Sequence, residues 1–242
     1  LNPFLSKFSE VRKACFKNYL QPEDYTLLPY GKAVAGDSEW KLRRYDLKIV
    51  LSVLEKQSNQ AILELGGYNG WLTHHIAAMG HDVTTVDYFL DDLDGLKTRK
   101  FYGEKWKSIQ MDIRDIYLLD QKFDAIIVNR CLQFFVDPIQ YFRSLSGMLE
   151  TGGMIILTGL QIFKKPERKI EVMKNERQEF LKRYGFDRMF VPFKGYLDAG
   201  DKQQLLAAGV LLKKYPQFKI ANFRAWINPE LPVQYYGIFR ND

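Results

Sequence analysis

The chain contains few of the residues that form disulfides or metal centres. Its 242 residues include two cysteines and three histidines. Cys15 and Cys131 are far apart and lack a Cys-x-x-Cys partner, so we expect the reduced thiols of a cytoplasmic protein instead of a disulfide framework. His74 and His75 are adjacent and therefore point to different sides of a helix. We predict no metal site.

Long apolar runs are also missing. No segment approaches the roughly 18 uncharged apolar residues that a membrane span requires. Residues 1–20 mix charged side chains among their apolar ones, unlike the continuous apolar centre of a signal peptide. We therefore expect a cytoplasmic protein with no membrane partner.

Positive charge is in moderate excess. The net charge is +6 and the isoelectric point is about 9.1, which raises the expectation of an anionic partner such as nucleic acid. The charge is spread along the chain, however. The basic cluster at 164–169 contains Glu167 and begins a highly charged helix, which favours a solvated surface over a phosphate-binding patch.

The order of apolar segments predicts an α/β fold. Short apolar segments alternate with amphipathic helical ones, as in a parallel sheet that is covered on both faces; they are 61–65, 82–86, 107–111, 123–129 and 154–158. We interpret 218–226 and 234–240 as two further strands, paired antiparallel across a short loop. The prediction is a doubly wound, mostly parallel, seven-stranded sheet with one antiparallel edge strand.

The part of the chain before this alternation is predicted to be helical. Residues 3–20 look like a short amphipathic helix, and 21–37 look like an irregular connector rich in proline and glycine. Asp37 or Ser38 can cap a helix that runs from about 39 to 56. We therefore divide the chain into an N-terminal helical extension or lid, 1–38, and a main domain, 39–242.

The turn after the first strand carries the clearest sign of a ligand site. Gly66, Gly67 and Gly70 fall where the backbone must reverse sharply and approach a ligand closely. The helix that follows offers unpaired N–H groups. Asp87 closes the second strand, where a carboxylate can accept hydrogen bonds from two ribose hydroxyls. This order of elements predicts a ligand that contains a nucleoside.

The glycine spacing argues against a dinucleotide. The GxGxxG pattern of a dinucleotide turn would need glycine where Tyr68 and Trp71 stand. Glu64 lies just before the turn, and its carboxylate would repel phosphates but suit an ammonium or a sulfonium group. A nicotinamide-dependent oxidoreductase is therefore disfavoured.

Together these residues resemble the class I S-adenosylmethionine-dependent methyltransferases, and within them a bacterial subgroup of generic methyltransferase domains. Residues 64–70 resemble the family's E/D-x-G-x-G-x-G motif, with Tyr68 in place of the middle glycine. Four later segments look like its ribose-binding acid, its adenine-binding acid, its fourth strand and its turn before the fifth strand; they are 86–87, 111–113, 123–129 and 149–153. The resemblance covers roughly residues 40–200 and implies a Rossmann-like fold.

The resemblance also implies a cofactor, S-adenosylmethionine, and the residues that bind it. These are Glu64, Gly66, Gly67, Tyr68, Gly70, Asp87, Tyr88, Asp112, Ile113 and Asn129. Asp112 would bind the adenine amino group while Ile113 packs on the ring, and Asn129 would shape the wall near the methyl group. The implied reaction is an in-line transfer of the sulfonium methyl, in which the protein mainly supplies positioning.

The helix before the first strand allows two interpretations. Trp40, Arg43 and Arg44 are either an ordinary helix face or part of a lid over the cofactor. In the second case one arginine would pair with the carboxylate of the cofactor.

No general base can be assigned from the sequence. Gln133 stands where relatives often have histidine, and an amide does not take a proton near neutral pH. Four side chains in the region after the fifth strand are candidates but are more easily explained as structural; they are Tyr184, Lys194, Tyr196 and Asp198. We expect a small-molecule acceptor, with an RNA methyltransferase and a non-catalytic cofactor-binding protein as alternatives.

Overall fold

Helices and strands alternate through the computed structural model, which describes residues 3–15, 20–188 and 191–241. The strands are β1 Ala61–Leu65, β2 Asp82–Asp87, β3 Lys107–Gln110, β4 Phe123–Asn129, β5 Leu149–Phe163, β6 Leu197–Asp198, β7 Leu211–Lys214 and β8 Val233–Arg240. The helices are α1 Pro3–Cys15, α2 Ser38–Leu54, α3 Trp71–Ala78, α4 Pro138–Ser146, α5 Glu167–Tyr184, α6 Ala199–Ala207 and α7 Lys219–Ile227.

The strands form one mostly parallel sheet in the order β3-β2-β1-β4-β5-β8-β7. Strands β1 to β5 run parallel to their neighbours, whereas β8 runs antiparallel to both β5 and β7. The short β6 pairs with β5 off this path. The predicted doubly wound, mostly parallel sheet with one reversed strand is confirmed; it has eight strands instead of the predicted seven, and the reversed strand β8 lies one position in from the edge strand β7.

One predicted strand is wrong. Residues 218–226 do not pair with β8; they form most of α7, and β7 is the antiparallel partner instead. A short segment with regularly spaced apolar residues is compatible with either a strand or a helix. Here the apolar residues mark a helix face, and Asn222 and Ala225 are the side chains that face inward.

Helix starts follow local side-chain chemistry, as predicted for α2. The Asp37 carboxylate accepts the N–H groups of Glu39 and Trp40 at 2.7 and 3.2 Å and caps α2. Asp137 caps α4 in the same way, with Pro138 in the first turn. These caps fix where the helices begin relative to the sheet.

Both faces of the sheet are covered. Successive residues of a strand point to opposite faces: Ile62 packs in a cluster with α2 and α3, whereas Leu63 packs in a cluster with α4. Tyr25 and Leu28 of the N-terminal segment are buried in the first cluster, so this segment shares the core of the main domain. None of the described helices is long and apolar enough to cross a bilayer.

Because β1 to β4 are parallel neighbours, their carboxyl ends meet at one edge of the sheet. The glycine turn, the acid of β2, residues 111–113 and Asn129 all lie at this edge. The carboxyl edge of such a sheet is where open α/β folds bind ligands.

Candidate functional site

The loop after β1 is pressed against β2. The N–H groups of Gly66 and Gly67 both donate to the carbonyl of Val86, at 2.9 and 3.3 Å. Gly66 has φ +74°, in the left-handed region. A Cβ on Gly67 would lie only 1.9 Å from Oγ1 of Thr85. The close approach of this loop to the sheet therefore depends on glycine.

The loop is tied to the acid at the end of β2. The N–H of Tyr68 donates to Oδ2 of Asp87 at 2.8 Å, and the N–H of Phe89 donates to Oδ1 at 3.0 Å. Burial raises the pKa of Asp87, and these backbone hydrogen bonds oppose the rise. Each carboxylate oxygen can accept a further hydrogen bond, so the group can order the loop and still receive a ligand.

Tyr68 stands where the related motif has its middle glycine, and its φ of +51° is in the left-handed region. Its ring lies under the guanidinium of Arg43, 5.5 Å from ring centroid to Cζ. Its side chain also interacts with Asp94 in the loop after β2. Tyr68 therefore connects the glycine turn to α2 and to that loop.

Glu64, the last acidic residue before the turn, is buried. Its Oε2 accepts a hydrogen bond from the Thr73 hydroxyl on α3. Burial raises the pKa of Glu64 to about 8, the Thr73 hydrogen bond opposes this, and the negative charge of Asp87 adds to it. The side chain is therefore mostly protonated near neutral pH, and a cationic ligand group beside it would favour its ionised form.

Sequence reasoning missed Asn69. Its side chain is fully buried, and within the described part of the chain neither Oδ1 nor Nδ2 has a hydrogen-bond partner. Its carbonyl accepts from the hydroxyls of Thr98 and Tyr102, both at 2.9 Å. An unpaired buried amide costs free energy, so this loop fits a polar ligand or an ordered water. The feature of the sequence that could have identified Asn69 is an amide residue within the glycine turn.

The end of β3 holds a second acid. Both oxygens of Asp112 accept hydrogen bonds from Nε of Arg114, at 2.9 and 3.0 Å. Burial alone would raise the pKa of Asp112, but hydrogen bonds from Arg114 and Tyr88 outweigh it and lower that pKa. Ile113 is buried in the core and its carbonyl accepts from the Tyr141 hydroxyl at 2.5 Å. The roles expected for these residues stay predictions.

The end of β4 is braced by a network that the sequence did not reveal. Arg130 follows half-buried Asn129 with φ +57°, and its Nη1 donates to Oδ2 of buried Asp46 at 3.0 Å. The Tyr215 hydroxyl donates to the other oxygen of Asp46 at 2.5 Å and accepts the N–H of Gly159 at 2.9 Å. These contacts join α2, β4, β5 and the chain after β7 around the wall that Asn129 belongs to.

The three expected lid residues of α2 have different surroundings. Trp40 is buried against Trp71, with ring centroids 5.9 Å apart. Arg44 donates to the carbonyls of Pro29 and Val34 at 2.8 and 3.3 Å and so holds the connector. Of the three, only Arg43 is seen against a predicted cofactor residue, Tyr68.

Helix α1 lies on the loop after β2. Arg12 forms ion pairs with Asp91 and Asp94 at 3.3 and 2.9 Å. The ring of Phe8 stacks on Phe89 at 5.4 Å and approaches Phe180 of α5 at 6.3 Å between centroids. Helix α1, part of the expected lid, and helix α5 thus meet at Phe89, whose N–H donates to Asp87.

None of the four candidate residues after β5 has the surroundings of a general base. Lys194 pairs with Asp198 at 2.9 Å and with Asp201 at 2.6 Å. Burial would lower the pKa of Lys194, but the two carboxylates outweigh it and raise the pKa, so the amine stays protonated near neutral pH. Asp198 caps α6, and the Gln133 amide donates to the carbonyl of Arg130 at 2.8 Å.

Tyr184 and Tyr196 have cationic neighbours. The guanidinium of Arg183 lies 5.3 Å from the ring centroid of Tyr184, and the amine of Lys194 lies 5.1 Å from that of Tyr196.

Cys131 is buried, and burial raises its pKa; the side chain of Cys15 lies outside the described part. Among the described residues, no group of three histidine, cysteine, aspartate or glutamate side chains could hold a metal ion.

Comparison with known proteins identifies the central part of the chain. Residues 63–157 match the family described as a methyltransferase domain, and they hold most of β1, all of β2 to β4, the glycine turn and both edge acids. This match agrees with the resemblance of the motifs to class I S-adenosylmethionine-dependent methyltransferases. A malonyl-[acyl-carrier protein] O-methyltransferase from Pseudescherichia vulneris is 25% identical over 139 residues, 57% of this chain and 54% of the relative. The chain spans about half the length of the curated relatives that it matches.

Solved structures agree with the methyltransferase fold. The plantazolicin methyltransferase BamL, crystallised with a triazolic desmethylPZN analog and S-adenosylhomocysteine, has a TM-score of 0.55 and 15% identity over 96% of this chain and 98% of its own. The [4+2]-cyclase SpnF has a TM-score of 0.55 and 14% identity over 84% of this chain and 81% of its own. At such identities the likeness concerns the fold alone.

Proposed function

We propose that the chain binds S-adenosylmethionine and transfers its methyl group to a small-molecule acceptor. The observation that carries the proposal is the hydrogen bond from Tyr68 N–H to Asp87. It joins the glycine turn of β1, suited to the polar end of a ligand, to the acid of β2, suited to a ribose diol. The match to methyltransferase domains supports the same assignment.

The residues at the carboxyl edge fit this cofactor. Asp87 would accept the ribose hydroxyls, and Asp112 the adenine amino group. Glu64 would face the methionine ammonium, and Arg43 would pair with the methionine carboxylate. The unpaired amide of Asn69 is an additional polar contact for the ligand.

The proposed reaction needs positioning more than proton transfer. The cofactor supplies an activated methyl group, whose bond to sulfur breaks as its bond to the acceptor forms. Residues of the site and the lid hold the acceptor in line and exclude water. Because none of the four candidate residues after β5 is placed as a general base, we expect an acceptor whose nitrogen or sulfur is already nucleophilic.

Calorimetry with S-adenosylhomocysteine tests the cofactor assignment, with NAD⁺ as the matched control. We expect saturable binding of the first and none of the second. Absence of S-adenosylhomocysteine binding would overturn the proposal. Binding without methyl transfer to a broad panel of acceptors would favour the non-catalytic alternative.

An RNA acceptor is the second candidate, and a basic segment close to the glycine turn favours it. Residues 97–107 contain five cationic residues and one acidic residue. They border an open cavity of about 490 Å³ lined in part by Lys97, Arg99, Lys100 and Lys105. The segment touches the glycine turn, because Thr98 and Tyr102 hold the carbonyl of Asn69.

RNA affinity measured against salt concentration tests this candidate. An RNA methyltransferase would lose affinity steeply as salt rises, and charge reversal of Lys97 and Lys105 would reduce the slope by about 2. Charge reversal of Lys122, exposed elsewhere, should matter less. RNA affinity that changes neither with salt concentration nor with charge reversal of Lys97 and Lys105 would exclude an RNA acceptor.

Two further predictions concern the whole protein. We keep the division into a lid, 1–38, and a catalytic domain, 39–242, as part of the proposal. A cytoplasmic location rests on the two cysteines without a nearby partner and is likewise a prediction.

A further inference from the structure

Helix α7 exposes its largest apolar side chains. They are Ile220, Phe223, Trp226 and Ile227, which are 58–72% exposed, and together they are called the α7 face here. At 3.6 residues per turn they occupy an arc of about 120° on the helix. The rings of Phe223 and Trp226 stack with centroids 5.9 Å apart, so the apolar surface is continuous.

The inner side of α7 fixes this orientation. Ala225 is fully buried, and Oδ1 of Asn222 accepts the N–H of Gln234 in β8 at 2.8 Å. Turning the α7 face inward would break this hydrogen bond and bury charged groups of the same helix. Contiguous exposed apolar patches of this kind mark interaction surfaces.

The segments of the chain that adjoin α7 carry exposed basic residues. The exposed cationic residues on α7, on β7 and just after β5 are Lys219, Arg224, Lys213, Lys214, Lys164 and Lys165. The acidic residue nearest in sequence, Glu230, pairs with Arg168 at 3.4 Å. Two copies of the chain joined through this face would bring like charges together, which disfavours self-association. An apolar centre with a positive rim instead complements an anionic surface.

The α7 face lies at the same edge of the sheet as the candidate site. Val233, the first residue of β8, pairs with Ile162 near the carboxyl end of β5. The N–H of Lys165 donates to the carbonyl of Pro229 at 3.1 Å, which holds the segment after α7 against this end. The end of α7 therefore lies beside the carboxyl end of β5, at the same edge of the sheet as the ends of β1 to β4.

We propose that the α7 face docks this protein on the surface of an anionic lipid bilayer. Tryptophan and phenylalanine prefer the headgroup region, and an apolar helix face flanked by lysine and arginine is the pattern of helices that lie in that region. The four side chains of the α7 face include no amide or hydroxyl group to orient a protein partner. This is surface association without a membrane span, so it replaces the sequence-based expectation of no membrane partner, and it does not depend on the proposed cofactor.

Tryptophan fluorescence tests the proposal directly. Trp226 is 70% exposed, whereas Trp40, Trp71 and Trp106 are each at most 5% exposed, so a shift in emission on adding vesicles reports mainly Trp226. We expect a blue shift and co-sedimentation with vesicles of phosphatidylcholine and phosphatidylglycerol. Vesicles of phosphatidylcholine alone should bind more weakly, and added salt should weaken binding to the vesicles that contain phosphatidylglycerol.

Substitutions separate the α7 face from other exposed apolar residues. Phe223→Ser and Ile227→Ser should each weaken vesicle binding about tenfold, and Lys219→Glu should weaken binding to anionic vesicles at least fivefold. Leu118→Ser removes a side chain that is 63% exposed elsewhere and should change nothing. Thermal unfolding of each variant checks that the fold is intact.

Three outcomes would overturn the proposal. The first is no blue shift and no sedimentation with anionic vesicles. The second is equal loss of vesicle binding in Leu118→Ser and Phe223→Ser. The third is a dimer in solution that Phe223→Ser converts to a monomer, because the face would then be an interface between two copies. Cofactor affinity is measured separately, so failure here leaves the proposed methyl transfer unaffected.

Discussion

Tyr68 and Asp87 are 19 positions apart in the chain and are joined by a backbone-to-carboxylate hydrogen bond of 2.8 Å. The bond holds a residue of the glycine turn, with φ +51°, beside the acid that ends β2. The carboxylate therefore has two tasks: it orders the turn and would accept the ribose of the cofactor. A change at Asp87 should affect both.

Asp87→Ala should reduce the affinity for S-adenosylhomocysteine about 100-fold, because it removes charge-assisted hydrogen bonds to the ligand. It should also lower the free energy of unfolding by about 1–3 kcal/mol, since two backbone N–H groups lose their acceptor. Calorimetry and denaturant unfolding measure the two effects. Asp82→Ala, at the exposed start of the same strand, is the control. Unchanged affinity in Asp87→Ala would contradict the assignment.

Gly67→Ala should damage the turn through one identified contact. The new Cβ would meet Oγ1 of Thr85 at 1.9 Å, so the turn must shift away from β2, with a loss of about 1–3 kcal/mol in stability and a fall in cofactor affinity. Thr85→Ala removes a buried hydroxyl that has no partner among the described residues and should cost little alone. In the double variant we expect most of the loss to be recovered.

The control for this cycle is Gly103→Ala. No atom lies within 4 Å of a Cβ built at Gly103, so this substitution should leave stability and affinity near those of the unmodified protein. If Thr85→Ala failed to rescue Gly67→Ala, contact with Thr85 would not be the reason for glycine at this position.

The parts of the structure that depend on local chemistry could be predicted from the sequence. Asp37 and Asp137 mark helix starts because a carboxylate there accepts the helix's own N–H groups. Strands such as 123–129 are recognisable because both faces are buried and the segment is almost continuously apolar. The glycine turn is recognisable because few other residues fit its backbone.

The parts that depend on long-range contacts could not be predicted. Asp46 and Arg130 are 84 positions apart, and no local pattern indicates that they pair. The raised pKa of Glu64 results from burial, which the sequence around it does not disclose. Helix α7 was wrongly predicted to be a strand. Its apolar residues face outward, so their spacing does not indicate which residues pack in the core.

Arg43→Ala and Arg44→Ala form a matched pair on one helix. Arg43, which stacks on Tyr68, is expected to hold the cofactor carboxylate, so its loss should weaken S-adenosylhomocysteine binding roughly tenfold or more. Arg44 is occupied by the carbonyls of Pro29 and Val34, so its loss should lower stability by about 1–2 kcal/mol and leave affinity unchanged. Equal affinity in both variants and the unmodified protein would remove Arg43 from the site.

Glu64 should make stability depend on pH in a specific window. Its pKa rises from an ordinary 4.5 to about 8 on folding, mainly because the side chain is buried. Between these values the folded protein keeps a proton that the unfolded chain releases, so the free energy of unfolding falls as pH increases. The slope from this group is at most about 1.4 kcal/mol per pH unit. Urea unfolding should show the fall in the unmodified protein relative to Glu64→Gln, which has no proton to lose.

The same proton should be released when the cofactor product binds. An ammonium placed beside Glu64 favours the ionised carboxylate, so binding of S-adenosylhomocysteine near neutral pH should expel up to about one proton. Calorimetry in two buffers of equal pH but different ionisation enthalpy counts that proton. Glu64→Gln keeps a side chain of similar size that can accept from Thr73, and it should bind without the release. If the variant released as many protons as the unmodified protein, Glu64 would not face the charged end of the ligand.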